Sequence, residues 1–218
     1  MKPCKSIFIT IEGGEGSGKT THPNLLKDYL IKNGYDVLLT REPGGTALAE
    51  LIRKILLDPN SKLTPLSELL LYEAARAQHI EEIIMPALKA GKAVICDRFI
   101  DATVAYQGYG RGLNMSLIEK LNAAASFGIK PALTFYLDID PKLGLKKAKS
   151  LDKESYGKNG DRIERESRTF HEKVRQGYLA RAKKYPKRIK IIKTDENVNK
   201  TWTLIEKEIE KKIDAWTR

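Results

Sequence analysis

Short apolar, β-prone runs alternate along this chain with longer stretches whose apolar positions recur at helical spacing. The runs are Ile7 to Ile11, Val37 to Thr40, Ala93 to Asp97, Leu133 to Leu137 and Ile189 to Lys193. The helical stretches are Thr21 to Lys32, Ala47 to Leu57, Leu66 to Ala90, Asp101 to Gln107, Ser116 to Ser126, a segment from Pro141, Arg162 to Lys184, and a segment from Val198 onward. In the longest, Leu69, Ala77, Ile80, Ile84 and Ala87 share one stripe, and Gly91 closes it. Strands that alternate with helices predict an α/β fold: a parallel five-stranded sheet flanked by helices on both faces, with ligands outside the strand carboxyl ends. The polar interruption from Ser150 to Asp161 contains the candidate for a mobile insertion, Leu151 to Gly160, which ends in an Asn-Gly turn signal.

The segment Gly13-Gly14-Glu15-Gly16-Ser17-Gly18-Lys19-Thr20 lies between the first strand and the first helix. It fits G-x-x-x-x-G-K-[ST] in the strand, loop and helix order that a phosphate-binding loop requires. Glycines let the backbone curl so that successive N–H groups face one concavity, and the following helix adds its unpaired donors and positive dipole end. Anionic oxygens belong there. The pattern predicts that residues 13–20 bind ATP, with Lys19 on the β- and γ-phosphates and the Thr20 hydroxyl on a bridging Mg²⁺.

Length and composition allow one domain spanning residues 1–218, since 41% hydrophobic content suffices for a sizeable core without disulfides. Cys4 and Cys96 are too few for a disulfide framework or a zinc site, and Cys96, inside a strand, reads as packing. Met1 to Ser6 run straight into the first strand, and no apolar stretch approaches membrane-spanning length, so a soluble cytoplasmic protein is expected. The net charge of +11 lies wholly in residues 141–218, because residues 1–140 balance acid and base. That excess has three readings: a nucleic-acid surface, solvated helix faces with Lys and Glu interleaved, or a basic segment that closes over polyphosphate. Few aromatics accompany the charge, so stable nucleic-acid binding is not expected.

Three further clusters are aimed at the loop by such a sheet. Asp97-Arg98-Phe99 ends the third strand: Asp97 can hold Mg²⁺ through water or orient the attacking oxygen, and Arg98 can grip a phosphate bidentately, or the two form a surface ion pair. Thr40-Arg41-Glu42-Pro43-Gly44-Gly45-Thr46 follows the second strand, with Arg41 as another phosphate fork or as part of a plain loop. Tyr72 and Arg76, four apart on the long helix, either frame a flat base or form an ordinary stacked pair.

Together these motifs resemble the thymidylate kinase family, P-loop nucleoside monophosphate kinases that make dTDP from dTMP and ATP. The resemblance covers nearly the whole chain and matches the bacterial form. It is carried by Ile11 to Thr21, Thr40 to Thr46, Ala74-Ala75-Arg76-Ala77-Gln78, Asp97-Arg98-Phe99, Ala105-Tyr106-Gln107-Gly108, Arg111-Gly112 and Asp161-Arg162-Ile163-Glu164. It implies that Glu15 binds the dTMP 3′-hydroxyl and that Tyr72, where the family more often carries Phe, stacks on thymine. Arg76 and Gln107 would hydrogen-bond the base, with the Thr103 hydroxyl beside it. Arg41, Arg53 and Arg98 would face phosphate, Glu42 and Pro43 would complete the substrate pocket, and Tyr106 would lie beneath the sugar C2′. Adenine would lie near Thr194 to Asn197. A homodimer is also implied.

Two departures stand out. His22-Pro23 occupies the start of the loop helix, where Pro is tolerated because early N–H groups lack intrahelical partners. Gly16 stands where one branch of the family carries a catalytic Arg, so the cation must come from a lid at about residues 146–162. That lid holds Lys146, Lys147, Lys149, Lys153, Lys158 and Arg162, and the expected catalytic set is Lys19, Asp97, Arg98, Lys147, Lys149 and Arg162. Expected metal ligands are Thr20 and Asp97. The alternatives are a kinase for another monophosphate or a deoxynucleoside, and a P-loop nucleic-acid-binding ATPase.

Overall fold

The central strand is the first one, and its two neighbours come from far along the chain. In the computed structural model, which describes residues 6–151 and 160–216 without the side chains of residues 149–151 and 214–216, five strands form one sheet in the order β2-β3-β1-β4-β5. They are β1 (Ile7–Gly13), β2 (Val37–Arg41), β3 (Ala93–Asp97), β4 (Leu133–Asp138) and β5 (Ile189–Lys193). Every pairing is parallel, and the register sets Ile11 opposite both Asp97 and Phe135, and Arg41 opposite Asp97. All carboxyl ends therefore share one edge, where the loop after β1 adjoins Arg41 and Asp97.

Strand alternation sorts the core into two layers. Ile7, Ile9, Ile11, Ile95, Phe135 and Leu137 pack with Leu26 and Leu30 of α1 (His22–Lys32) and Ile205 and Ile209 of α9 (Val198–Trp216). On the other face, Phe8, Val94, Cys96 and Phe99 pack on Ile80 and Ile84. Beside them Tyr136 and Ile189 meet Tyr178, Val174 and Phe170 of α8 (Arg168–Lys184). Each fully buried Leu or Ile contributes about 1.5–3 kcal/mol relative to exposure. The remaining helices are α2 (Ala47–Leu57), α3 (Pro65–His79), α4 (Met85–Lys89), α5 (Ile100–Thr103), α6 (Met115–Ala125) and α7 (Pro141–Leu151).

Three helical expectations need correction. The stretch Leu66 to Ala90 is α3 and α4 joined by a π turn over Ile80–Ile84, where the Met85 amide bonds to the Ile80 carbonyl five residues back. Pro86 follows with no amide to donate, which favours a shifted bonding pattern at that point. Within the expected stripe Leu69, Ile80, Ile84 and Ala87 are buried, but Ala77 is half-buried. The stretch Asp101 to Gln107 is α5 followed by a second π turn, Val104–Gly110. Here Gly177 of α8 lets the two segments close in, since a Cβ there would lie 2.8 Å from Ala105 Cα and 3.0 Å from the Tyr109 ring. Finally, residues 162–166 are turns: Asp161 Oδ1 accepts the amides of Ile163 and Glu164 at 2.8 and 2.9 Å, and α8 begins only after Ser167, whose hydroxyl accepts from the Phe170 amide.

The lid expectation falls partly on α7, which holds Lys146 and Lys147. Residues 152–159, including Lys153 and Lys158, lie outside the described residues, as do Cys4 and the Lys149 side chain.

Candidate active site

The loop after β1 is shaped by its glycines at two positions in particular. Gly16 and Gly18 have φ of 65° and 94°, which L side chains rarely adopt. A Cβ on Gly16 would overlap the Gly144 carbonyl and sit 3.0 Å from Lys147 Cβ, so α7 rests directly on the loop. Ser17 Oγ and Lys19 Nζ both donate to the Gly14 carbonyl, at 2.8 and 2.6 Å. Glu15 through Thr20 line a cavity of about 770 Å³, whereas Gly13 ends β1 and neither it nor Gly14 lines that space. Burial lowers the Lys19 ammonium, and Arg98 lowers it further, against Glu15 and Asp97, which raise it.

Asp97 and Arg98 leave β3 toward this loop and line the cavity with Lys19. Arg98 Nη2 donates to Glu15 Oε1 at 2.7 Å, and the Tyr106 hydroxyl donates to the same oxygen at 3.0 Å. Burial alone would raise the Glu15 carboxyl; Lys19 and Arg98, helped by Tyr106, outweigh it and bring it down to about 2. The Asp97 carboxyl is raised by burial despite Lys19 and Arg98. Its Oδ1 is buried without a hydrogen-bond partner. Asp97 and Thr20 both line the cavity, and their oxygens are hard donors of the kind that fits Mg²⁺.

Arg41, Glu42, Pro43, Arg53, Tyr72, Arg76, Thr103, Tyr106 and Gln107 line the same cavity. The roles are not equally open. Arg41 is exposed and donates through Nη2 alone to both Glu50 carboxylate oxygens, at 2.8 and 3.0 Å, and Arg53 Nη1 donates to the Pro43 carbonyl at 3.0 Å. Arg76 is almost wholly buried: Nε donates to Glu42, and Nη1 to Glu73 and Asn122. It is thus held by α3, the loop after β2 and α6 at once, rather than lying as a plain partner of Tyr72. Gln107 Nε2 donates to Glu68 Oε1 at 2.7 Å, which leaves the amide oxygen of Gln107 as its acceptor end.

Glu68 is a residue that sequence reasoning missed. It is 1% exposed and also accepts Arg111 through Nε and Nη2 at 3.1 and 2.9 Å and Arg162 Nη1 at 2.7 Å. Burial opposes its charge, but Arg111 prevails and lowers the carboxyl. Arg162 also donates to the Leu56 carbonyl at 2.7 Å and does not line the cavity, so the expectation that it closes over phosphates is not met in this geometry. The physical reason is its double engagement with Glu68 and α2. Lys147 does line the cavity, as do Asp161, Thr194, Asp195 and Glu196. A second grouping, Glu42, His79 and Cys96, has ligand atoms within 4.8 Å of one another, but each is engaged internally: Glu42 with Arg76, His79 with Thr40, and Cys96 with the Arg98 carbonyl. Burial also holds the Cys96 thiol well above its ordinary range, so it is not a ready thiolate.

A phosphate-cradling loop on a parallel sheet of this order, opening into a cavity also lined by several arginines, an amide and aromatic rings, defines a P-loop nucleoside monophosphate kinase. A family model described as thymidylate kinase matches residues 11–205. A thymidylate kinase of Geobacter sp. (strain M21) is 50% identical over 96% of this chain and 93% of its own length. One of Geotalea daltonii is 54% identical over 89% of this chain and 92% of its own. Among solved structures, the crystal structure of thymidylate kinase from Ehrlichia chaffeensis superposes with a TM-score of 0.76 at 38% identity, covering 94% of this chain and 98% of that one. The chain belongs to the thymidylate kinase family.

Proposed function

We propose that this chain phosphorylates dTMP to dTDP with ATP and Mg²⁺, a step toward dTTP, and that the loop end of the cavity takes ATP while the Thr103, Tyr106 and Gln107 end takes dTMP. The observation that carries the reading is one cavity whose loop and Tyr106 sides meet at Arg98, which bonds Glu15 and lies over the Tyr106 ring, with Lys19 and Asp97 lining the same space. A phosphoryl group passing between two nucleotides must cross this point, where the protein concentrates positive charge.

Each wall then has a task. Loop amides and Lys19 neutralise the ATP phosphates, and Arg98, with Arg41 and Arg53 behind it, holds the acceptor phosphate in line. A phosphate oxygen of dTMP attacks the γ-phosphorus, the bond to the β-γ bridging oxygen breaks, and ADP leaves. Thr20 and Asp97 would hold Mg²⁺, which when bound supplies charge neutralisation on the β- and γ-oxygens. Tyr72 stacks on thymine, and Glu15 takes the 3′-hydroxyl while Tyr106 crowds C2′. Because the Gln107 amide nitrogen is turned toward Glu68, its oxygen is the end that meets the N3–H of thymine, and Arg76 meets O4. Cytosine, with an acceptor at N3, would face that oxygen unpaired.

For the catalytic cation, the contact of α7 with Gly16 favours Lys147 among the lid residues. Lys149 remains a candidate of the same helix, and Arg162 acts on the pocket through Glu68. Exposed Leu48, Leu51 and Ile55 on α2, with Leu66 and Leu70 on α3, supply an apolar face suited to a homodimer. No helix among the described residues is long and apolar enough to cross a membrane. The test is coupled ADP release across dTMP, dUMP, UMP, dCMP, AMP and GMP. The highest kcat/KM is expected with dTMP and the loss with dCMP should be the steepest among pyrimidine deoxynucleotides; equal turnover of dCMP would overturn the base assignment.

A further inference from the structure

Glu12 is the one acidic residue of the central strand, with no solvent exposure, and it does not line the cavity. In the sheet Glu12 pairs with Tyr136 of β4, while the ladder to β3 ends one residue earlier, at Ile11 and Asp97, so its side chain sits where the chain of β3 leaves the sheet toward Arg98. We propose that Glu12 is a positioning residue for the acceptor phosphate: it accepts the Phe99 amide on one oxygen and the Tyr178 hydroxyl on the other, and so fixes both the backbone and the ring platform of Arg98.

The two bonds are 2.8 Å each. The first matters because Arg98 has φ of 66°, a conformation that an L side chain keeps only where its surroundings over-determine it. Its own amide is tied to the Ile11 carbonyl at 3.0 Å, and its carbonyl accepts the Cys96 thiol at 3.1 Å. The Glu12 bond to the next amide completes the clamp. The second bond orients Tyr178, which stacks on Tyr136 at 4.7 Å and meets Tyr106 edge-on at 6.3 Å. Tyr106 in turn lies 4.7 Å below the Arg98 guanidinium and shares Glu15 with it. The contacts form a closed circuit from Glu12 through Tyr178, Tyr106 and Arg98 back to the Phe99 amide. Burial, reinforced by Asp101, pushes the Glu12 carboxyl up to about 8, while Arg98, Tyr178 and the Phe99 amide oppose that rise. Its bonds to the Phe99 amide and the Tyr178 hydroxyl need a polar side chain at this place, which an apolar residue cannot supply.

The inference rests on the reading that Arg98 holds the dTMP phosphate, and the experiment separates the two. Calorimetric affinities for dTMP and for thymidine are measured on wild type, Glu12→Ala, Glu12→Gln, Tyr178→Phe and Arg98→Ala. The ratio of the two affinities isolates the phosphate. Glu12→Ala should shrink it by about tenfold or more with thymidine affinity nearly unchanged, Tyr178→Phe by about two- to fivefold, and Glu12→Gln, which keeps an acceptor for Phe99, should restore most of it. Equal weakening of both ligands in Glu12→Ala would make Glu12 merely structural and overturn the inference. If Glu12→Ala does not fold, an unchanged ratio in Tyr178→Phe overturns it instead. A ratio preserved in Arg98→Ala would defeat the role of Arg98 itself, whereas a ratio lost there but intact in the Glu12 and Tyr178 variants would defeat only the positioning.

Discussion

Replacing Gly16 by alanine tests the contact on which the assignment of the catalytic cation rests. Two costs add. The first is conformational: φ of 65° costs a non-glycine residue about 1–2 kcal/mol. The second is steric, because the new Cβ would overlap the Gly144 carbonyl, which is backbone and cannot rotate away, and the reciprocal Cβ on Gly144 would overlap the Glu15 carbonyl. Either the loop or α7 must therefore shift, and both carry residues of the phosphate site. With about 1.4 kcal/mol per decade, the two costs together should lower kcat/KM for dTMP by roughly one to two orders of magnitude. Gly34 is the control, since its φ is 85° but no atom lies within 4 Å of a Cβ there. Gly34→Ala should lose about 1 kcal/mol of stability and no activity. The assay is coupled ADP release at saturating ATP with varied dTMP, alongside thermal unfolding of both variants. Gly16→Ala within about twofold of wild type would refute the interlock of loop and α7.

Three other outcomes follow from the same geometry. Glu68→Ala leaves Arg111 and Arg162 without their shared carboxylate and Gln107 without its anchor, so urea denaturation should report a loss of about 3–5 kcal/mol, and dTMP binding should weaken more than ATP binding. Arg162→Ala should act on the melting temperature more than on kcat, which a paired unfolding and turnover measurement resolves; a kcat loss of about tenfold at unchanged stability would return it to the phosphates. The Glu15 carboxyl is depressed to about 2, so the unfolded chain binds its proton first and the stability that Glu15 contributes is complete above the ordinary carboxyl range and lost as pH falls from 4.5 toward 2. The difference in melting temperature between wild type and Glu15→Gln should therefore narrow across that window, and a difference independent of pH would contradict it.

The sheet and the loop were legible in the sequence for a local reason. A strand buried on both faces reads as an unbroken apolar run, and a phosphate loop needs its glycines, lysine and threonine at fixed spacing between strand and helix. Asp97 and Arg98, at the end of the third strand, were legible in the same way, whereas the roles of Thr103 and Tyr106 were implied only by the family resemblance. What escaped depends on neighbours distant in sequence. The π turn at Val104–Gly110 packs against Gly177 on α8, and the diversion of Arg162 follows from Glu68 and the Leu56 carbonyl. Periodicity cannot register either. Glu12 carried a visible signal, an acid inside Ile7 to Gly13, but its partners Phe99 and Tyr178 are joined to it only by the fold.

Following the labelled γ-phosphate of ATP in the presence of dTMP, in wild type and in Lys19→Ala, tests most directly whether one cavity carries phosphoryl transfer between two nucleotides. Wild type should move the label into dTDP in amounts equal to the ADP formed, and Lys19→Ala should bind dTMP normally yet transfer the label at least about a hundredfold more slowly. Label released as inorganic phosphate without dTDP, or transfer by Lys19→Ala at the wild-type rate, would contradict the account.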